Sequence, residues 1–320
     1  GKVVEMRSVV NGDCALEILT FADEEGKLIY RHTAAHILAQ AIKNIFPTVK
    51  LAIGPAIATG FYYDFDFKTP ISTEEFVKIE QEMKSIIKAN YPITRFTLPK
   101  DEAVKLMSSY GEDYKVELIN DLPSDVEISF YKQGDFIDLC AGPHLPFTGM
   151  VKAFKLTSLT GAYWRGNENN KMLSRIYGTA FDKKSDLQEY LQAVEEAKKR
   201  DHNKLGREMG IFMTDENIGQ GLPLLMPKGA KLFQIMQRFV EDEEERRGYV
   251  LTKTPYMAKS NLYKISGHWD HYKDGMFVMG DEEKDDEEFA LRPMTCPFQY
   301  TIYKNGLKSY RALTIRYAET

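Results

Sequence analysis

The stretch RHTAAHILAQAIKNIF, residues 31–46, decides how this chain is read. It predicts a helix stopped by Pro47. Its apolar positions, Ile37, Leu38, Ala41, Ile42, Ile45 and Phe46, form a regular helical stripe. At about 100° per residue that stripe centres roughly 150° away from His32 and His36. The two histidines, at i and i+4, therefore share one face, and it is not the face expected to meet the core. Working downstream, LAIGPAIATG and FYYDFDF alternate like strands. Ser72 and Glu75 have capping-box spacing at the head of a second helix, with Phe76, Ile79, Met83 and Ile86 in register. A short third helix is expected from Asp101 to Ser109. Working upstream, residues 1–20 read as short strands around the turn dipeptide Asn11-Gly12, too small for a domain of their own.

Residues 114–182 alternate short strands with turns, as in VEISFYKQGDFIDLC and SRIYGTAF. Ser185 and Gln188 repeat the capping-box spacing and open a helix of about 20 residues. Its charged tail, EEAKKRDHNK, suits a solvated connector between domains. Another helix is expected from Gly229 to Arg247, stopped at Gly248 and followed by the strand YVLTKTP. The acidic run GDEEKDDEE, residues 280–288, is most simply a solvated loop.

With 320 residues, two or three domains are expected. A hydrophobic share of 43% and a charged share of 28% exclude a disordered or collagen-like chain. No run approaches the roughly 18–20 apolar residues that span a bilayer, and the start has no apolar leader. Without an initiator Met, the chain reads as a piece of something longer. Only three cysteines, Cys14, Cys140 and Cys296, argue against a disulfide framework and for a reducing cytosol. A net charge of −5 excludes a basic nucleic-acid coat, though not a local basic groove.

The chemistry concentrates in two pairs. His32 and His36 form one; Cys140 and His144, in DLCAGPHLP, form the other. Three imidazoles and a thiol are a tetrahedral zinc set by type. They are equally a metal-free set able to activate water near neutral pH. Thr33 stands where zinc proteases of the HExxH type carry their glutamate base, which disfavours that route. Asp138, two residues before Cys140, shares its face if the segment is a strand. Lys115, expected just before a short strand, would ordinarily be a surface residue. Tyr62 and Tyr63 would ordinarily pack in a sheet.

As a set, RHTAAHILAQAIKNIFP, IGPAIATGFYYDFD, DLCAGPHLP and GAYWRGNENNKMLSRIYGTAF closely resemble the bacterial-type threonyl-tRNA synthetase family. The HxxxH and CxxxH pairs alone would also fit alanyl-type editing enzymes. GHWDHYKDGMFVM and LRPMTCPFQYTIYKNGLKSYRALTIRYAET select the threonyl family. The resemblance implies an α+β protein in four parts. Residues 1–24 would end a β-grasp domain, and 25–182 would be an editing domain of mixed helices and antiparallel sheet. Residues 183–206 would be a linker helix, and 207–320 the first part of a class II antiparallel catalytic sheet.

It further implies His32, His36, Lys115, Asp138, Cys140, His144 and Tyr63 as a metal-free editing site. His32 and Lys115 would polarise water, His36 and His144 would orient ribose and ester, and Asp138 and Cys140 would meet the seryl group, with Tyr63 lining the pocket. The helix ending at Gly248 would belong to a homodimer interface in a cytoplasmic enzyme that uses tRNA(Thr), threonine, ATP and Mg2+. Cys296 would be one ligand of the synthetic-site Zn2+, its other ligands lying outside this sequence, so no aminoacylation is expected from these residues alone. Pro-Phe-Gln after Cys296 departs from the common Pro-Gly-His. A zinc-dependent aminoacyl-tRNA deacylase and a non-catalytic RNA-binding module are the alternatives. An exposed apolar surface is expected on residues 207–320.

Overall fold

The computed structural model describes residues 3–123, 126–280 and 287–320. It is an α+β protein that divides into two units, residues 1–198 and 199–320. Most of the acidic run at 280–288 lies outside the described residues.

In the first unit, helix α1 covers Glu24–Ile45. Glu24 and Glu25 in its first turn and Lys43 in its last complement the helix dipole. The helix extends upstream of Arg31, where the periodic signal begins; residues 24–30 carry no one-sided apolar pattern to mark them. Next come β1 (Lys50–Leu51), β2 (Ala56–Ile57) and β3 (Gly60–Asp66). Helix α2 (Phe76–Ala89) follows, then β4 (Ile93–Leu98), α3 (Lys100–Ser109) and α4 (Asp113–Asp121). The unit is completed by β5 (Ile128–Gln133), β6 (Phe136–Leu139), β7 (Ala153–Tyr163), β8 (Met172–Phe181) and α5 (Lys184–Lys199).

Two antiparallel sheets result. One has the order β1-β3-β8-β7 with β2 also on β3; the other has the order β4-β5-β6. Phe61, Tyr63 and Phe65 alternate onto one face of β3 and are fully buried against α1 and α2. Phe76, Ile79, Met83 and Ile86 are the buried stripe of α2, as their spacing predicts. At its start Ser72 accepts from the Glu74 N–H within a 3-10 turn. The second sheet has its own core of Ala103, Met107, Ile119, Ile128 and Phe130.

Three expectations are corrected here. Residues 3–20 carry no strand, although Asn11-Gly12 could turn one: no neighbouring strand pairs with them, and most of their side chains stay exposed. Lys115 sits on helix α4 rather than before a strand, and it is buried. His36 is also buried, on a helix covered on both sides. A stripe argument assumes one partner layer. Here β3 and β8 lie against one side, while Gln133 of β5 donates to the His36 carbonyl at 3.2 Å and to Gln40 at 2.9 Å on the other. Ala34, Ala35, Ala39 and Ala41, all at 0% exposure, keep the helix slim enough to be sandwiched.

The second unit begins with α6 (His202–Glu208), whose Asp201 cap interrupts the charged connector. It continues with β9 (Phe212–Met213), β10 (Leu224–Leu225), α7 (Pro227–Arg246) and β11 (Val250–Leu251). Then come β12 (Met257–Lys259), α8 (Ser260–Ile265), α9 (His268–Tyr272) and β13 (Val278–Met279). Last are β14 (Phe289–Leu291), α10 (Cys296–Lys304) and β15 (Tyr317–Ala318). Strands β12, β14 and β13 pair antiparallel, while β11 pairs parallel with β15. Its core is small, built on Tyr263, Trp269, Ala290 and Phe298. Phe233, Met236 and Phe239 of α7 are 58%, 60% and 66% exposed, the apolar surface expected of this region. Among the described residues no helix is long and apolar enough to cross a membrane.

Candidate active site

Helix α1 brings His32 and His36 to one side, one turn apart. The turn after β6 delivers Cys140 and His144 to the same place. Gly142 makes that turn possible: its φ is +70°, and a Cβ there would lie 1.8 Å from the Tyr131 hydroxyl. The Cys140 Sγ stands 3.3 Å from both His32 Nε2 and His144 Nε2 and accepts from the Gly142 N–H at 3.2 Å. The His144 ring centroid is 4.2 Å from those of both His32 and His36.

A second layer lies behind the imidazoles. Lys115 of α4 meets Asp138 Oδ1 of β6 at 2.7 Å, and both residues are buried. The Tyr63 hydroxyl donates to Asp138 Oδ2 at 2.6 Å and accepts from Lys115 Nζ at 3.0 Å. His36 Nε2 lies 3.7 Å from the same Asp138 oxygen. Tyr63 fits because Gly54 faces its ring, where a Cβ would come within 2.0 Å. All seven residues expected in the first site are thus in one cluster. Tyr62 points to the opposite face of β3, where the Arg175 guanidinium stacks 3.9 Å over its ring and pairs with Asp64.

The cluster is electrically quiet. Burial lowers the His32 imidazole to about 4, opposed in part by the Asp138 charge. Burial also holds His36 and His144 well below the ordinary histidine range, helped for His36 by His32 and Lys115 and for His144 by His36 and His32. The Cys140 thiol is pushed up to about 12 by burial, against the Gly142 N–H that favours thiolate. Tyr63 is raised by burial and by the Asp138 charge, so it keeps its proton. Three neutral imidazoles and a protonated thiol therefore face one another at neutral pH.

A cavity of about 370 Å³ opens onto His32, with Leu28, Ile29, Pro55, Ala56 and Pro143 among its apolar walls. It is large enough for a nucleoside-sized group. Val3 lines it too, and Glu5 hydrogen-bonds the Tyr131 hydroxyl beside His144, so the leading segment borders the site. Sequence reasoning did not single out these contacts, nor Gln40 and Gln133 behind His36. Nothing in local spacing signals them.

One donor atom from each of His32, His36, Cys140 and His144 lies within 4.8 Å of the others. Ligands of a tetrahedral zinc stand about 3.5 Å apart. The donor set thus fits such an ion in type and nearly in spacing. Cys296 differs: it is exposed at the start of α10 and belongs to no group of three or more such donors among the described residues. Alone it does not make a zinc site.

The family described as threonyl and alanyl tRNA synthetase second additional domain matches residues 128–177, the segment that supplies Asp138, Cys140 and His144. A threonine–tRNA ligase of Clostridium perfringens (strain 13 / Type A) is 67% identical over all 320 residues. That of Acetivibrio thermocellus is 55% identical over 319 residues. In each case the match covers 100% of this chain and 50% of the relative, so the chain spans about half the length of the curated relatives it matches. Among solved structures, the RNA binding domain of threonyl-tRNA synthetase from Cryptosporidium parvum Iowa II is 34% identical over 38% of this chain and 29% of its own, with a TM-score of 0.35. From end to end, then, this chain is similar to about half of a threonine–tRNA ligase.

Proposed function

We propose that this chain carries the proofreading site of a threonine–tRNA ligase, hydrolysing the ester that wrongly joins serine to tRNA(Thr). One observation carries the reading: four neutral proton-accepting or hydrogen-bonding side chains converge beside a nucleoside-sized cavity, backed by a buried lysine–carboxylate pair. The need for such a site is physical. Serine lacks only the methyl of threonine, worth about 1–3 kcal/mol of discrimination, so selection at one site leaks.

In this reading the terminal ribose enters the cavity and its ester reaches the cluster. A water oxygen attacks the ester carbonyl carbon and gives one proton to a neutral imidazole. The bond to the ribose oxygen then breaks, that oxygen takes the proton from the imidazole, and serine leaves as its carboxylate, the second water proton passing to solvent. His32, at the cavity wall, and Lys115 hold and polarise the water; His36 and His144 orient the ester. Asp138 and Cys140 meet the seryl ammonium and hydroxyl, and Tyr63 closes the pocket floor. Because Asp138 already holds Lys115 and Tyr63, the ammonium has to share that carboxylate.

A second reading is favoured by the donor spacing. His32, His36, Cys140 and His144 would hold a zinc-type cation, which would supply Lewis-acid polarisation of the ester, as in the alanyl-type deacylases. On the family resemblance the metal-free form is the one proposed. The remaining assignments rest on the same kinship. Residues 25–182 form the editing domain, 183–206 the linker and 207–320 part of the catalytic domain of a cytoplasmic, homodimeric enzyme. The exposed face of α7 supports the dimer. Charging of tRNA(Thr) with threonine, using ATP, Mg2+ and Zn2+, is assigned to the longer relatives' full length.

The test compares hydrolysis of seryl-tRNA(Thr) and threonyl-tRNA(Thr), with and without a chelator. Serine-selective, chelator-insensitive hydrolysis is expected, falling by about 10²–10⁴-fold in a His32→Ala/His36→Ala variant. Chelator sensitivity would favour the zinc reading. No hydrolysis by folded protein would overturn both.

A further inference from the structure

Thr33 lies between the two histidines of α1, fully buried, and its hydroxyl has three partners. It is 2.9 Å from the Ile29 carbonyl, 3.0 Å from the Leu145 N–H and 3.3 Å from His144 Nδ1. A hydroxyl has one proton to give and two lone pairs to receive. The Ile29 carbonyl can only accept, so it takes the proton. The Leu145 N–H can only donate, so it fills one lone pair. The single role left for His144 Nδ1 is to donate into the other lone pair.

We propose that Thr33 is a positioning residue that places the proton of the neutral His144 ring on Nδ1, so that in this tautomer Nε2 is the acceptor aimed at the Cys140 thiol. The 3.3 Å contact between Nε2 and Sγ is then S–H to nitrogen. Thr33 also ties the turn bearing His144 to α1 through the Leu145 N–H, so one hydroxyl sets both the place and the proton of that ring. Its consequence for catalysis rests on the proofreading reading above; the proton assignment does not. In metal sites a group that orients an imidazole through its second nitrogen typically contributes about 10–100-fold, and the same order is expected here.

The experiment is nitrogen-15 NMR of histidine-labelled, chelator-treated protein, together with seryl-tRNA(Thr) hydrolysis. For the parent chain, the His144 Nε2 resonance is expected in the unprotonated range and Nδ1 in the protonated range. Thr33→Ser should keep both the tautomer and the rate. Thr33→Val should lose the single tautomer and slow kcat by about 10–100-fold with KM little changed. A protonated Nε2 in the parent chain would overturn the proposal even if Thr33→Val does not fold. So would a folded Thr33→Val that keeps the parent's tautomer or rate. Parent protein with the expected tautomer and no hydrolysis would instead sink the proofreading reading and leave the proton assignment standing.

Discussion

Two cysteines, each close to a proline, invite comparison. Cys140 precedes Gly142-Pro143 and is encircled by His32, His144 and the Gly142 N–H. Cys296 precedes Pro297, is the first residue of a nine-residue helix and is exposed. The same side chain is the hub of a histidine cluster in one place and a bare thiol in the other. What differs is the company supplied by distant segments: α1, α4 and β3 all contribute to the first site. A cysteine acquires chemistry from what packs around it.

Removing that company should have the largest effect. Lys115→Met strands the buried Asp138 carboxylate, and the first unit should lose about 3–5 kcal/mol in urea unfolding. Adding Asp138→Leu should recover most of the loss, since it is the unpaired charge that costs. Full stability of the single variant would show that the pair does not hold the site together.

Thiol labelling sharpens the contrast next. With Cys140 raised to about 12 and enclosed, it should react with a disulfide reagent at pH 8 at least about a hundredfold more slowly than Cys296. Denaturation should abolish the difference. Equal native rates would mean that the cluster opens readily.

Acid should act on the first region through its buried histidines. The folded His32 lies near 4, below the unfolded value of about 6.5, and His36 and His144 are lowered too. Between those values the unfolded chain binds more protons, so stability rises with pH. It is complete above about 6.5 and falls as pH drops toward 4, by roughly 1.4 kcal/mol per pH unit for each such histidine. Urea unfolding at pH 7, 6 and 5 should show this slope, and His32→Gln should flatten it by about one histidine's share. The smallest effect belongs to Cys296→Ala, which should leave seryl-ester hydrolysis unchanged and stability within about 0.5 kcal/mol. A large loss there would give Cys296 a role that its surroundings do not suggest.

Much of the first region was legible in sequence because the signals were periodic. The stripe of α2, the alternation in GFYYDFD and the two four-residue spacings each follow from local geometry. Lys115 illustrates the limit. On α4 it has no apolar neighbour pattern to mark it, and only the arrival of Asp138 from β6 makes its burial tolerable. Knowledge of related proteins, rather than spacing, singled it out. His36 was misplaced for a similar reason: periodicity reports that a helix has an apolar side, not that a second layer will cover the other. The leading residues 3–20 show the reverse failure, where a good turn dipeptide found no strand to pair with.

The sandwiched α1 has a mechanical corollary. Its four alanines lie flush in the packing, Thr33 clasps the turn at Leu145, and Gln40 and Gln133 lock the far side. A helix gripped along both flanks behaves like a key in a lock: it can neither slide nor roll without unseating a neighbour. Enlarging Ala39 or Ala41 by a few carbons would wedge the layers apart, and the rings at His32 and His36 would move with the shaft that carries them. Activity would then report on the fit of methyl groups that never touch a substrate.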